Sequence, residues 1–259
     1  MKIAHEAPLS IFDKVQQLTD YDYFLVHLFE ENIAYLEKAY ECVGNGRETI
    51  LDNSIFELGT AWDAERFAYW VEKMKPTYYI IPDVLDDSAG TLDSFEKFTE
   101  QYKDLPGKTI AVAQGSSYDD LVKCYNYLAY DNRVHKIALS FNHPFFQDYE
   151  GQNKYEKMLN GRQDTLRKMV EEDVINTNKH HHLLGCGLPQ EFKEYRKYPW
   201  IDSLDTSNPV IHGMKGIWYD AQGLQNKESV KLYTLINEDV NDRWGEIEYN
   251  IKTFRSYCR

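Results

Sequence analysis

Long hydrophobic segments are absent from this sequence. The mean hydropathy is −0.61, and no apolar run approaches the ~20 residues that a membrane-spanning helix needs. The first residues, MKIAHEAPLSIFDK, lack the apolar core of a secretory signal. We therefore expect a protein that has no membrane partner and carries no such signal.

Cysteine is scarce, with four residues in a chain of 259. The four lie far apart and form no CxxC or CxC pair, at Cys42, Cys124, Cys186 and Cys258. Structural zinc sites are usually built from such local pairs, so the sequence predicts no metal site. We expect free thiols, as in a reducing cytoplasm, and no cofactor.

Basic residues are outnumbered by acidic ones. The chain has 29 Lys and Arg against 42 Asp and Glu, which gives a net charge of −13. This balance excludes a protein that binds nucleic acid through a generally basic surface. A nucleic-acid substrate would therefore have to meet a local basic patch.

Eight short apolar runs of strand character alternate with amphipathic stretches. The runs are 23–28, 48–52, 78–83, 109–115, 135–141, 182–187, 200–205 and 215–220. This alternation predicts a parallel sheet, and eight units predict a (β/α)8 TIM barrel, a single domain over residues 1–259. The segment 142–165 is expected to be a rim insertion after the fifth strand. A doubly wound open sheet is the alternative, although its Gly-rich phosphate loop is absent.

Helices are predicted in the links between these runs, because apolar residues recur there with helical spacing. Ser88 is expected to cap one of them, and a Ser residue another. Only a short helix fits between the last two runs. The predicted spans are 31–42, 61–74, 88–102, 116–130, 154–175, 189–198 and about 227–255.

Polar residues and glycines follow the carboxyl ends of these runs, where barrels keep their catalytic groups. One such Asp alone would more simply be a helix cap or a turn residue. Three carboxylates and an amide at matching ends predict a shared site. The residues are Asp52, Asp83, Gln114, Gly115, Ser140, Asn142, Gly185, Gly187 and Asp205.

Converging carboxylates suit two kinds of chemistry. Asp52, Asp83 and Asp205 could bind a divalent metal through hard oxygen ligands, as in a metal-dependent barrel hydrolase. They could instead divide into a nucleophile and a general base for substitution at a sugar carbon, through an oxocarbenium-like transition state. The residues alone leave both open.

Two motifs carry a resemblance to a known family. AVAQGSSYDDL (111–121) resembles the VQGG-x-Y-x-DL segment of the tRNA-guanine transglycosylases, and LLGCGLPQEF (183–192) resembles their LMGVGxPEDL segment. WIDSLDTSNP (200–209) is similar to the GxDxFD segment that carries the nucleophile. LDNSIFELG (51–59) looks like a diverged TDSGGFQ segment, and IIPDVLDD (80–87) stands where the family has its base-binding Asp.

The resemblance runs from about residue 48 to 209 and implies roles residue by residue. Asp205 would be the nucleophile that attacks C1′ and expels guanine, and Asp52 would be the general acid/base. Asp83 would hydrogen-bond the guanine-like edge. The remaining implied contacts to the base come from Gln114, Gly115, Ser140, Asn142, Gly185 and Gly187.

The departures from the family narrow the implied function. The sequence contains no CxCxxC zinc motif, we expect no appended RNA-binding domain, and Asn53, Ser54 and Ile55 replace SGG. These features resemble the compact DNA-guanine transglycosylases of phages, pentosyltransferases that protect DNA from restriction. The implied partners are DNA, with tRNA as the alternative, and a 7-deazaguanine such as 7-cyano-7-deazaguanine. The implied location is the cytoplasm, which is the host's if a phage encodes the chain.

A polynucleotide substrate needs cations near its phosphates. Candidates lie in the long helix and near residues 196–212, namely Arg162, Arg167, Lys168, Arg196, Lys197 and His212. A solvated helix face with ion pairs between successive turns is the competing interpretation. A third functional hypothesis is a non-catalytic partner subunit that binds a 7-deazaguanine.

Overall fold

The computed structural model describes every residue from Met1 to Arg259. Its eight strands form one sheet in the order β1-β8-β7-β6-β5-β4-β3-β2. With helices between the strands, this is the (β/α)8 barrel fold that the sequence predicts. The strands are β1 (Lys2–His5), β2 (Asp22–Leu25), β3 (Thr49–Asp52), β4 (Tyr78–Ile80), β5 (Lys108–Ala113), β6 (Lys136–Ser140), β7 (His180–Leu184) and β8 (Ile201–Thr206).

Ten α-helices and five 3-10 segments lie between these strands and after the last of them. No helix has both the length and the apolar character needed to cross a bilayer. The helices are α1 (Phe12–Gln16), α2 (Leu28–Glu31), α3 (Ile33–Gly44), α4 (Ile55–Leu58), α5 (Ala64–Met74), α6 (Ser88–Gln101), α7 (Tyr118–Ala129), α8 (Lys154–Glu171), α9 (Asn208–Met214) and α10 (Trp244–Tyr257). The 3-10 segments are Leu9–Ile11, Pro144–Asp148, Pro189–Lys197, Leu232–Leu235 and Asn241–Arg243.

The chain divides into two compact units. The first unit comprises Met1–Asp20, Ser140–Asp173 and Leu183–Arg259, and the second comprises Tyr21–Leu139 and Val174–His182. The prediction of a single domain over residues 1–259 stays a prediction.

The second unit is built on strands β2 to β6, which pair in parallel with their neighbours. Leu25 pairs with Asp52, so β2 and β3 end level with each other. The rings of Phe67 in α5, Tyr79 in β4 and Phe98 in α6 contact one another at centroid distances of 5.9 to 6.4 Å. Buried aromatic area of this kind is a large source of hydrophobic stabilisation.

The first unit has its core around helices α9 and α10. Apolar residues of both helices pack with Ile11 and Val15 from the start of the chain. Gly213 permits the close approach of the two helices, because a Cβ at this position would lie 2.6 Å from Ile247 Cα. Strand β1 pairs with β8 in this unit, with Ala4 opposite Asp205.

The structure corrects two strand predictions. β1 (Lys2–His5) was not predicted, because only Ile3 and Ala4 are aliphatic in it and its order comes from pairing with β8. The predicted strand at 215–220 is wrong. Asn250 takes up its backbone groups instead, accepting from Tyr219 N at 2.8 Å and donating to Ile217 O at 2.8 Å.

The helix predictions need smaller corrections. Asp87 caps α6 in place of Ser88, accepting from Gly90 N at 2.9 Å. The predicted helix at 227–255 is mostly irregular before Trp244. Segment 142–165 follows the sixth strand of the structure rather than the fifth, because β1 adds one to the count, and it contains Pro144–Asp148 and the first two-thirds of α8.

Candidate functional site

Three amide and carboxyl side chains meet at the strand ends of the second unit. Asp83 follows β4, Gln114 directly follows β5, and Asn53 directly follows β3. Asn53 Nδ2 donates to Asp83 Oδ1 at 2.7 Å, and Gln114 Nε2 donates to Asp83 Oδ2 at 2.7 Å. Asp83 is thus held between two amides, and we call these three residues the Asp83 cluster.

Burial controls the protonation of Asp83. The side chain is almost completely enclosed, and this desolvation raises its pKa from 3.8 to about 6, against the opposing effect of the Gln114 and Asn53 hydrogen bonds. The carboxyl therefore titrates just below neutral pH. A shifted acid among convergent polar groups is a common feature of ligand and catalytic sites.

The amide oxygens of Asn53 and Gln114 accept hydrogen bonds as well. Asn53 Oδ1 accepts from Ile55 N at 2.9 Å, and Gln114 Oε1 accepts from Asp86 N at 3.2 Å. Asn53 Nδ2 also donates to Ile81 O. Because the backbone occupies each amide oxygen, each amide directs its nitrogen at Asp83. The side chains of the Asp83 cluster are therefore oriented without a ligand.

Asp52 is the last residue of β3, and both of its carboxylate oxygens accept hydrogen bonds. Tyr23 OH donates to Oδ2 at 2.5 Å, and Ser54 N donates to Oδ1 at 2.5 Å. Ser54 takes a left-handed conformation with φ 63°, which is uncommon for a residue with a side chain. The turn after β3 thus holds Asp52 in one orientation.

Two histidines of the second unit stack on tyrosine rings. The ring of His182 stacks on Tyr23 at 6.2 Å, and His181 stacks on Tyr125 at 5.7 Å. His181 and His182 are buried whereas His180 is exposed. The two buried rings thus pack against aromatic side chains.

Gly115 allows two backbone segments to approach each other closely. A Cβ at this position would lie 2.3 Å from Leu121 N, at the start of α7. Only glycine therefore lets the helix begin so close to the end of β5. Its predicted contact with a base stays a prediction.

In the first unit, Asp205 lies in β8 and is nearly enclosed. Its Oδ1 accepts from Gly185 N at 3.3 Å. Gly185 has φ 65°, and a Cβ there would lie 2.6 Å from the Phe141 ring. The position therefore needs glycine, and it is this turn that directs an N–H at the carboxylate.

A buried ion pair supports the same turn. Arg162 donates from Nε to Glu191 at 2.6 Å, and from its Nη atoms to Leu184 O at 3.0 Å and Gly185 O at 3.1 Å. Tyr195 OH donates to the same Glu191 oxygen. Arg162 is almost fully buried, and its predicted role as a phosphate contact stays a prediction. It positions the turn beside Asp205.

The other predicted cations are mostly paired with the protein itself. His212 is enclosed, with Nδ1 at 2.8 Å from Asn208 O and Nε2 accepting from Glu228 N, and its predicted nucleic-acid contact stays a prediction. The exposed cations stay candidates, each with a partner: Arg167 with Asp164, Lys168 with Glu172, Arg196 with the Ser256 and Tyr257 carbonyls, and Lys197 with Glu194.

The remaining predicted contacts lie in turns of the first unit. Ser140 ends β6, and its Oγ accepts from Asn142 N at 3.2 Å. Gly187 O accepts from Asn208 Nδ2 at 2.9 Å. Both turns are ordered by local hydrogen bonds, and their contact with a base stays a prediction.

Two residues of these sites are not among the contacts predicted from the sequence, Asn53 and Tyr23. Asn53 has a sequence signal, because it directly follows the strand-end Asp52. Tyr23 has none, because its role depends on a contact with Asp52, 29 positions away.

Metal ligation has no support in the side-chain arrangement. No group of three or more His, Cys, Asp or Glu side chains is placed to hold a metal ion. All four cysteines are free and buried. In comparisons with known proteins, no protein-family model matches the chain and no curated protein matches it.

Proposed function

We propose that this protein is a pentosyltransferase that exchanges guanine in a polynucleotide for a 7-deazaguanine. The Asp83 cluster carries the proposal. Guanine presents two adjacent N–H donors, N1–H and the 2-amino group, and a carboxylate accepts such a pair through its two oxygens. In the structure, two amide donors already occupy those oxygens at 2.7 Å each.

The same cluster suits both bases of an exchange. A 7-deazaguanine keeps the O6, N1–H and 2-amino groups of guanine and differs on the opposite, imidazole side. A site that reads the shared edge with Asp83, and O6 with the Gln114 amide, therefore accepts the departing and the incoming base alike. Gln114 can donate a hydrogen bond to O6 because its Nε2 points towards Asp83 in the structure.

The proposed reaction takes place in two displacement steps. Asp205 attacks C1′ of the target nucleotide, a C1′–O bond forms, and the C1′–N9 bond breaks with its electron pair passing to guanine. The 7-deazaguanine, after loss of its N9 proton, then attacks C1′ and releases Asp205 as a carboxylate. The Gly185 N–H that contacts Asp205 orients one of the two carboxylate oxygens.

Proton transfer is assigned to Asp52. The departing guanine must gain a proton and the incoming base must lose one, so one acid/base group serves both steps. Tyr23 and Ser54 hold both oxygens of Asp52 in place. Proton delivery from this carboxyl thus depends on Tyr23, whose O–H is the partner that can reorganise.

DNA is the proposed polymer and tRNA the alternative, and 7-cyano-7-deazaguanine is a proposed incoming base. The target nucleotide has to leave its stack to expose C1′, which costs a few kcal/mol in a duplex. A single-stranded or mismatched substrate avoids much of that cost. We therefore expect exchange to be faster on single-stranded oligonucleotides than on duplexes.

The test is incorporation of labelled guanine into DNA and into tRNA by the purified chain. We expect exchange by the wild type and a loss of roughly 10³-fold or more in Asp205→Asn, because a nucleophile is removed. A protein–DNA adduct that survives denaturation should form with the wild type only. Asp202→Asn is the matched control, since it makes the same change in the same strand.

Each outcome has a distinct meaning. Undiminished exchange in Asp205→Asn would remove that residue from the nucleophile role. Binding of a 7-deazaguanine without exchange or adduct would instead favour the non-catalytic partner subunit. Activity that disappears with a chelator and returns with a divalent metal would favour the hydrolase-type metal chemistry.

A further inference from the structure

Lys227 of the first unit lies beside the turn that contacts Asp205. Its Nζ donates to Cys186 O at 2.8 Å. The Phe141 ring centroid lies 4.5 Å from Nζ, and the Tyr155 ring centroid lies 5.9 Å away. Cys186 directly follows Gly185, whose N–H meets the Asp205 carboxylate. Lys227 and Asp205 thus contact neighbouring residues of one turn.

The charge of this ammonium group is incompletely balanced. Of its three N–H donors, one has a hydrogen-bond acceptor, and no carboxylate forms an ion pair with it. Burial lowers the Lys227 pKa, which the more distant charges of Glu6 and Asp205 offset only in part. A desolvated cation of this kind is costly unless an anion approaches it.

Three of the predicted phosphate contacts in the first unit do have carboxylate partners. Arg162 is compensated by Glu191 at 2.6 Å, and Arg167 by Asp164 at 2.6 Å. Lys197 is paired with Glu194. Lys227 differs from these three cations in having no carboxylate partner, and one of its three donors bonds the Cys186 carbonyl.

We propose that Lys227 forms an anion site that binds a phosphate of the nucleotide whose C1′ meets Asp205. This inference rests on the proposed function, because it takes the anion to be a polynucleotide phosphate. A lysine ammonium suits a phosphate as a compact charge with several donors. The Cys186 carbonyl and the two rings fix Nζ in place, so little side-chain entropy is lost on binding.

The site also accounts for how an acidic chain could hold a polynucleotide. With a net charge of −13, the overall field repels phosphates, so binding must rely on a few short-range contacts. A cation already desolvated by Phe141 and Tyr155 interacts with a phosphate more strongly than a hydrated surface lysine does.

The first test measures DNA affinity at several KCl concentrations by fluorescence anisotropy. In Lys227→Gln, we expect the slope of log Kd against log salt to fall by about 0.7–0.9, the value for one lost phosphate contact. Lys193→Gln is the matched control, because Lys193 also lies over an aromatic ring, that of Tyr257, at 4.3 Å. This control should keep the wild-type slope, and Lys227→Arg should keep most of it.

An unchanged slope in Lys227→Gln overturns the inference while leaving the proposed function standing. Failure of the wild type to bind either DNA or tRNA overturns the proposed function. A second arm then tests the anion site directly with inorganic phosphate, which should raise the Tm of the wild type and of Lys193→Gln more than that of Lys227→Gln. Equal rises in all three overturn the site.

Discussion

Gln114 Nε2 and Asn53 Nδ2 lie at the same 2.7 Å from the two oxygens of Asp83. Two amides from different strand ends therefore share one buried carboxyl, and they oppose the rise in its pKa that burial causes. The balance leaves an acid that is ionised at neutral pH but held at an energetic cost. A carboxyl group with such a perturbed pKa is typical of sites that bind a ligand, where function rather than stability accounts for the residue.

This cost predicts a pH-dependent stability difference between the wild type and Asp83→Asn. The folded-state pKa is raised from 3.8 to about 6, so the native state binds more protons than the unfolded state in that window. The wild type should therefore lose stability relative to Asp83→Asn as pH rises from about 4 to about 6, by on the order of 3 kcal/mol in total. Urea denaturation at several pH values measures this difference, and a constant difference would contradict it.

The hydroxyl of Tyr23 provides a second prediction. Tyr23→Phe removes the 2.5 Å hydrogen bond to Asp52 but keeps the ring that stacks on His182. We expect kcat for base exchange to fall roughly 10- to 100-fold, with a changed pH profile, while the KM for the base changes little. Tyr21→Phe is the control, since its ring also contacts His182. A rise in the KM for the base with an unchanged kcat would mean that Tyr23 contributes to binding instead.

Local sequence patterns were sufficient for most of the fold and for the strand-end carboxylates. β3 and β8 are apolar runs that carry Asp52 and Asp205 at or near their ends, so both positions can be read from the sequence. β1 and the 215–220 segment could not be read in this way. β1 is paired with β8, and the backbone of the 215–220 segment is hydrogen-bonded to the Asn250 side chain instead.

The residues that surround each carboxylate could not be predicted from the sequence either, because their contacts join distant parts of the chain. Arg162 has the appearance of a surface cation in a helix of polar character, yet Glu191, 29 positions away, holds it inside. Tyr23 likewise meets Asp52 across 29 positions. Long-range pairs of this kind leave no periodic signal, so motif and period analysis does not detect them.

His5 should make the protein sensitive to acid. Burial, with a contribution from Arg255, lowers its pKa from 6.5 to about 3. The unfolded state thus binds the proton first, and stability should be lost as pH falls from about 6.5 towards 3, by up to ~1.4 kcal/mol per pH unit. His5→Gln should flatten this dependence in thermal melts. His180→Gln, a change at an exposed histidine, should leave it as in the wild type, and equal curves for His5→Gln and the wild type would contradict the assignment.

The buried Arg162–Glu191 pair gives the last prediction, which separates a structural role from a phosphate contact. Arg162→Met leaves Glu191 buried without its cation, which should cost about 3–5 kcal/mol of unfolding free energy. Adding Glu191→Leu removes the stranded charge, so the double variant should be more stable than the sum of the single losses implies. A double-mutant cycle by urea denaturation measures the coupling. If Arg162→Met instead kept full stability and lowered the salt dependence of DNA binding, Arg162 would be a phosphate ligand, and the turn beside Asp205 would owe its geometry to Gly185 and Phe141 alone.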